Sequence, residues 1–153
     1  MFSKRKGFTL VELLIVIIVI GILAGGMMLA SGSATDSARA STLISELRNA
    51  KAGGLMYLAD NNEETFSTIV AAWPSLNTTG SDFEQYMDNK DKVGQLTFAV
   101  ATPVAGETWL LIGKNVSDPV VGDKMVNMVG GALFTPAGAP FQKTDNVACM
   151  RVK

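Results

Sequence analysis

Lys4-Arg5-Lys6-Gly7-Phe8-Thr9-Leu10-Val11-Glu12-Leu13-Leu14-Ile15-Val16-Ile17-Ile18-Val19-Ile20-Gly21 is the stretch on which the reading of this chain turns. Three cations precede a glycine. From Phe8 to Ala30 the chain then carries one charged residue, Glu12. As a helix rising about 1.5 Å per residue, that run spans the roughly 30 Å hydrocarbon core of a bilayer. Cations before the run and few soon after it place its N-terminal end on the cytoplasmic side and the remainder outside.

Two ordinary readings fit the length and flank. A secretory signal fits the basic start, and Gly32-Ser33-Ala34 would serve for cleavage before Thr35. The apolar run, however, exceeds the usual stretch of roughly 7–15 residues. A plain membrane anchor fits as well. Neither accounts for Glu12. A carboxylate inside a membrane helix is costly, so it is read as functional with a partner to be named.

The basic leader, Gly7, Phe8, Thr9, Leu10, Glu12 and the aliphatic run, all in register, resemble the class III signal of type IV prepilins and the related type II secretion pseudopilins. The resemblance covers about a fifth of the chain. It implies that a prepilin peptidase cuts between Gly7 and Phe8 and methylates the new Phe8 amine. The leader is then residues 1–7. Glu12 falls where the family carries its near-invariant glutamate, and with Thr9 it is assigned to assembly. Glu12 of one subunit is expected to pair with the Phe8 amine of a neighbour. The resemblance implies a structural subunit of a type IV pilus filament and no enzyme. Its partners would be identical or related pilin subunits, the inner-membrane assembly machinery and, before assembly, membrane lipid. The chain would sit first in the inner membrane with its N-terminus cytoplasmic, then in an extracellular filament. The close alternative is a pseudopilin of a type II secretion system. A membrane-anchored or secreted binding protein is the distant one.

Helical periodicity continues past the membrane edge. Ala40, Leu43/Ile44, Leu47, Ala50, Gly54 and Tyr57/Leu58 recur at three and four residues and form one apolar face, with Arg39, Ser45, Glu46, Arg48, Asn49 and Lys51 opposite. One helix is expected from about Phe8 to about Ala59, with a possible disturbance between its halves. Residues 8–30 form the membrane or filament-core part, and residues 31–59 the amphipathic part. Gly21, Gly25 and Gly26 weaken the first part by roughly 1 kcal/mol each. Pilins unwind a segment near here on entering the filament, often at a proline. This chain has none there, so the three glycines are the candidates for melting.

Residues 60–153 read as an exported globular head. Asp60-Asn61-Asn62 should stop the long helix, residues 63–72 form a short helix, and residues 76–80 turn. Ser81 to Glu84 has the spacing of a capping box, which predicts a helix over 82–89. Residues 93–101 and 108–114 read as a hairpin. Asp118-Pro119 starts a helix with Val121, Met125, Met128 and Val129 on one face, Gly130-Gly131 ends it, and residues 147–152 form a last strand. The fold class is α+β: a long spine helix packed on a small antiparallel sheet.

Composition excludes several chemistries. The sequence has no histidine, which removes His-based triads and His-ligated zinc. Three of its 13 cations precede Gly7, so the rest sets ten cations against 14 acids, with no footprint for specific nucleic-acid binding. Asp118, Asp123 and Asp145 match no calcium-loop spacing and read as caps and turns, so no metal or cofactor is assigned. Cys149, the sole cysteine, cannot close the C-terminal disulfide of many pilins and reads as a buried thiol. The methionines and both tryptophans, Trp73 and Trp109, read as packing residues.

Overall fold

The computed structural model describes residues 7–61, 66–78 and 80–153. The expected leader, apart from Gly7, lies outside them, as do residues 63–65 of the expected short helix and Thr79 of the expected turn. The chain forms two compact units, one ending at Thr35 and the other Asp36–Lys153. The elements are α1 (Leu10–Asp60), α2 (Phe66–Ala72), β1 (Leu96–Ala101), β2 (Trp109–Asn115), α3 (Pro119–Val129) and β3 (Val147–Arg151). The architecture is α+β: a long N-terminal helix and a three-stranded antiparallel sheet in the order β1-β2-β3.

No proline interrupts α1, and it continues through Gly21, Gly25, Gly26 and Gly32 without the disturbance expected between its halves. Glycine costs propensity but keeps its backbone hydrogen bonds, and a long helix absorbs the loss cooperatively. At the other end Asn61 donates its backbone N–H and its side-chain amide to the Tyr57 carbonyl, at 3.1 and 2.8 Å, which closes the last turn.

The head core forms where the apolar stripe of α1 meets the sheet. Ala40, Ile44, Leu47, Ala50 and Tyr57 are all buried, as the periodicity predicted. The N-terminal part of the stripe packs with Ala148 and Met150 of β3 and with Val121 and Met125 of α3. The C-terminal part packs with Trp73, Phe83, Phe98, Leu110 and Ile112. Edge-on contacts tie the aromatic group together, with Phe83 and Phe98 centroids 4.9 Å apart and Trp73 and Phe98 at 5.5 Å. Fully buried Trp73 satisfies its indole N–H on the Leu111 carbonyl at 3.0 Å. Gly53 and Gly54 let α1 approach closely. A Cβ at Gly53 would stand 2.9 Å from the Tyr86 carbonyl oxygen, and one at Gly54 would stand 2.8 Å from Ile112 Cδ1.

Five local expectations are corrected. Residues 82–89 do not form an α-helix, because only Asp82–Tyr86 winds, as a 3-10 helix. The capping box is not made. Ser81 donates its hydroxyl to Leu76, and the Glu84 carboxylate accepts from the Gly80 N–H at 2.7 Å. The first strand starts at Leu96, because Lys90–Gln95 is a 3-10 helix that buries Val93 beneath it. On α3 Asp118 accepts from Val120 N–H at 2.9 Å, and left-handed Gly130 ends the helix as expected, but Met128 is 46% exposed, at the rim of the core, where its sulfur accepts from the Ser41 hydroxyl at 3.7 Å. Trp109 is only half-buried. It lies on the sheet face away from α1, against Phe134 and under the Arg151 guanidinium.

Replacing Gly53 with alanine sets a methyl group against a backbone oxygen that cannot rotate away. Gly53→Ala is expected to lower head stability by about 1–3 kcal/mol, measured by urea unfolding of the full chain followed by tryptophan fluorescence.

Candidate assembly site at the N-terminal helix

The first turn of α1 is built by two side chains. Thr9, the last residue before the helix, donates its backbone N–H to Glu12 Oε2 at 2.9 Å and its hydroxyl to the same oxygen at 2.7 Å. The Thr9 Oγ1 accepts from the Glu12 N–H at 3.3 Å. This is a reciprocal capping box, and it holds the carboxylate over the positive end of the helix. Glu12 Oε1 accepts no hydrogen bond among the described residues. Gly7 and Phe8 precede this turn as exposed, non-helical chain, with Phe8 78% exposed. The structure thus brings Gly7, Phe8, Thr9 and Glu12 into one short segment. Gly21, Gly25 and Gly26 lie further along the same helix with open space beside them.

Beyond Glu12 the aliphatic side chains from Leu13 to Leu23 are exposed around the helix. The helix is long and apolar enough to cross a membrane. Removing such side chains from water is worth roughly 1.5–3 kcal/mol each. This surface is suited to lipid or to other apolar helices.

Comparison with known proteins bears on the same segment. The family description "Prokaryotic N-terminal methylation motif" matches residues 2–28. That match places the motif of type IV pilin-like proteins on the first helix of this chain. A fimbrial protein of Neisseria meningitidis serogroup A / serotype 4A is 27% identical over 148 residues, covering 95% of this chain and 79% of that protein. No solved structure matches the chain significantly. The pilin-like motif and the fimbrial relative support a pilin-type subunit, and the apolar helix is consistent with membrane anchoring.

The head contains an ionic group that the periodicity placed on the solvent face. Glu46 accepts from Lys92 through one carboxylate oxygen and from Lys114 of β2 through the other. The two lysines lie 46 and 68 residues away in sequence, so no local pattern announces them. Burial alone would raise the Glu46 carboxyl, but the hydrogen bonds and charges of Lys114 and Lys92 hold it below its ordinary value. Nearby, burial and a hydrogen bond to Asp60 push the Tyr86 phenol upward. Asp118 caps α3, and Asp145 closes a turn by accepting from the Gln142 N–H at 2.7 Å. Cys149 is buried, and burial pushes its thiol up to about 12. In place of a disulfide, Cys149 and Phe134 exchange two backbone hydrogen bonds, at 2.7 and 2.8 Å, which fasten the C-terminal loop to β3.

Because folding lowers the Glu46 pKa, its contribution to stability is complete above the ordinary value of 4.5 and is lost as pH falls through the lowered one. Glu46→Gln is expected to cost about 1–3 kcal/mol at neutral pH, between an exposed and a buried pair. It should also flatten the loss of stability below pH 4.5. Thermal melts of both chains across acidic pH measure this. The buried Cys149 thiol should resist iodoacetamide in the folded chain and react fully in denaturant, read by intact mass.

Proposed function

We propose that this chain is the structural subunit of a type IV pilus filament, with no enzymatic activity of its own. Prepilin peptidase removes Met1–Gly7 and the Phe8 amine is methylated. The helix is held in the inner membrane with its N-terminus cytoplasmic until the assembly machinery moves the subunit into an extracellular homopolymer. The observation that carries this reading is the methylation motif over residues 2–28, in register with a lone carboxylate poised at the start of an exposed apolar helix. The similarity to a fimbrial protein over 95% of the chain favours a pilus over a secretion pseudopilus.

In this mechanism the new Phe8 amine carries a positive charge into apolar surroundings. Glu12 Oε2 is occupied by Thr9, whereas Oε1 is open to accept from the amine of an adjacent subunit. A charge pair of this kind in a low-dielectric core is strongly register-specific, because misalignment leaves both ions unpaired. Thr9 acts as a positioning residue by fixing the carboxylate rotamer. Melting at Gly21, Gly25 and Gly26 would let the helix adjust its length as subunits pack.

Intact mass and N-terminal sequencing of sheared surface material test the reading. A chain beginning at methylated Phe8 supports it. The same processed chain confined to membranes would instead indicate a pseudopilin, and a start at Thr35 or Met1 would reject processing at Gly7. Glu12→Gln is expected to be cleaved normally but to reduce sheared filament by about tenfold or more. Wild-type filament yield from that variant would remove Glu12 from assembly.

A further inference from the structure

One flank of the amphipathic half of α1 carries a groove, and the next flank carries a ridge. The groove is a cavity of about 430 Å³ walled by Asn49 and Met56 on α1 and by Asp88 and Asn89 on the facing segment, with Glu46 and Lys92 also lining it. Met56 is 58% exposed there. Round the helix from it, Arg48, Leu55 and Ala59 are all exposed, with Leu55 at 48%, and exposed Ala52 stands at the border, where it also lines the groove. This is an apolar and basic strip that the head leaves uncovered. Arg48 on the ridge and Asp88 in the groove each have no ion-pair partner among the described residues, where Glu46 takes both salt bridges.

We propose that the groove receives the Arg48–Leu55 ridge of a second copy of this chain, an inference that rests on the filament reading above. The guanidinium of Arg48 meets the Asp88 carboxylate, with the Asn49 and Asn89 amides beside it. Leu55 covers Met56. Arginine suits the site because its planar fork donates two parallel hydrogen bonds to one carboxylate. The ion pair already within the groove serves the docking by holding its wall, because Glu46 ties α1 to Lys92 and to β2. Ridge and groove are different patches, so the contact is heterologous. Each copy that fills one groove offers its own groove to the next. Such contacts propagate into an open helical array unless the rotation closes a ring. The opposite signs of Arg48 and Asp88 fix which patch meets which.

Cysteine cross-linking in filaments made by the full chain provides the test. With Arg48→Cys and Asp88→Cys in one chain, mild oxidation of sheared filaments should give a ladder of dimers, trimers and higher multimers on a non-reducing gel. Each single variant should give none, since Cys149 is buried. Filaments that form from the double variant yet run as monomers would overturn the contact. Charge reversal is a second arm. Arg48→Asp and Asp88→Arg should each lower filament yield by about tenfold, and the two together should recover most of it. Undiminished yield from the single variants, or no recovery in the pair, would reject the Arg48–Asp88 contact. Failure of the wild-type chain to form any filament overturns the filament reading itself, and this docking with it.

Discussion

The close approach of α1 to the sheet is the constraint on which the head depends. Ala40, Ile44, Leu47, Ala50 and Tyr57 supply the buried stripe, and the sheet supplies Leu110, Ile112, Ala148 and Met150. Small residues set the separation. Alanine at positions 40 and 50 keeps the stripe narrow, glycine at 54 leaves room for Ile112, Val152 and the Trp73 ring, and glycine at 53 leaves room for the Tyr86 carbonyl and the Phe83 ring. The aromatic group of Tyr57, Trp73, Phe83 and Phe98 then fills the end of the core. Without a closely seated helix the ring edges would lose the contacts that make such packing worth more than its area.

Polar closure follows from the same seating. Glu46 stands at the border of the buried stripe, where it meets lysines from a 3-10 segment and from β2. One carboxylate thus ties together three parts of the head that have no neighbouring sequence. At the far side of the sheet, the paired backbone bonds of Phe134 and Cys149 fasten the C-terminal loop without a covalent link. Such bonds gain from the surrounding burial, because each group would be expensive to leave unpaired.

How far the sequence disclosed this depended on the range of the interaction. Helical spacing from Ala40 to Tyr57, the Asp118-Pro119 start and the Gly130 stop of α3 are local signals, and the structure realises them. The methylation motif is likewise contiguous, so the candidate assembly site was readable almost whole. Even there, the mutual hydrogen bonding of Thr9 and Glu12 adds to the motif a capping box, which Thr-x-x-Glu before an apolar run announces. The same pattern misled at Ser81 and Glu84. There a short helix is shaped by what Phe83 must bury and not by its own cap. Residues 93–95 read as the start of a strand, but they belong to the 3-10 segment Lys90–Gln95, which carries Val93 into the core. The role of Glu46 and the outward position of Trp109 depend on partners far along the chain, beyond any windowed pattern.

The division of labour within the chain follows from where the cores lie. Among the described residues, the three hydrophobic clusters draw their members from Ala40 onward, inside the unit Asp36–Lys153. The segment from Phe8 to Leu23 contributes to none of them and leaves its aliphatic side chains exposed. Its free energy therefore lies in its surroundings, lipid or other helices, and not in the folding of the head. Glu12 lies in the unit that ends at Thr35, so an assembly defect on its substitution need not be a folding defect of the head. A substitution at Glu46 or Gly53 acts on the head itself. The two classes separate because Glu12 and the residues of the head core belong to different compact units of the chain.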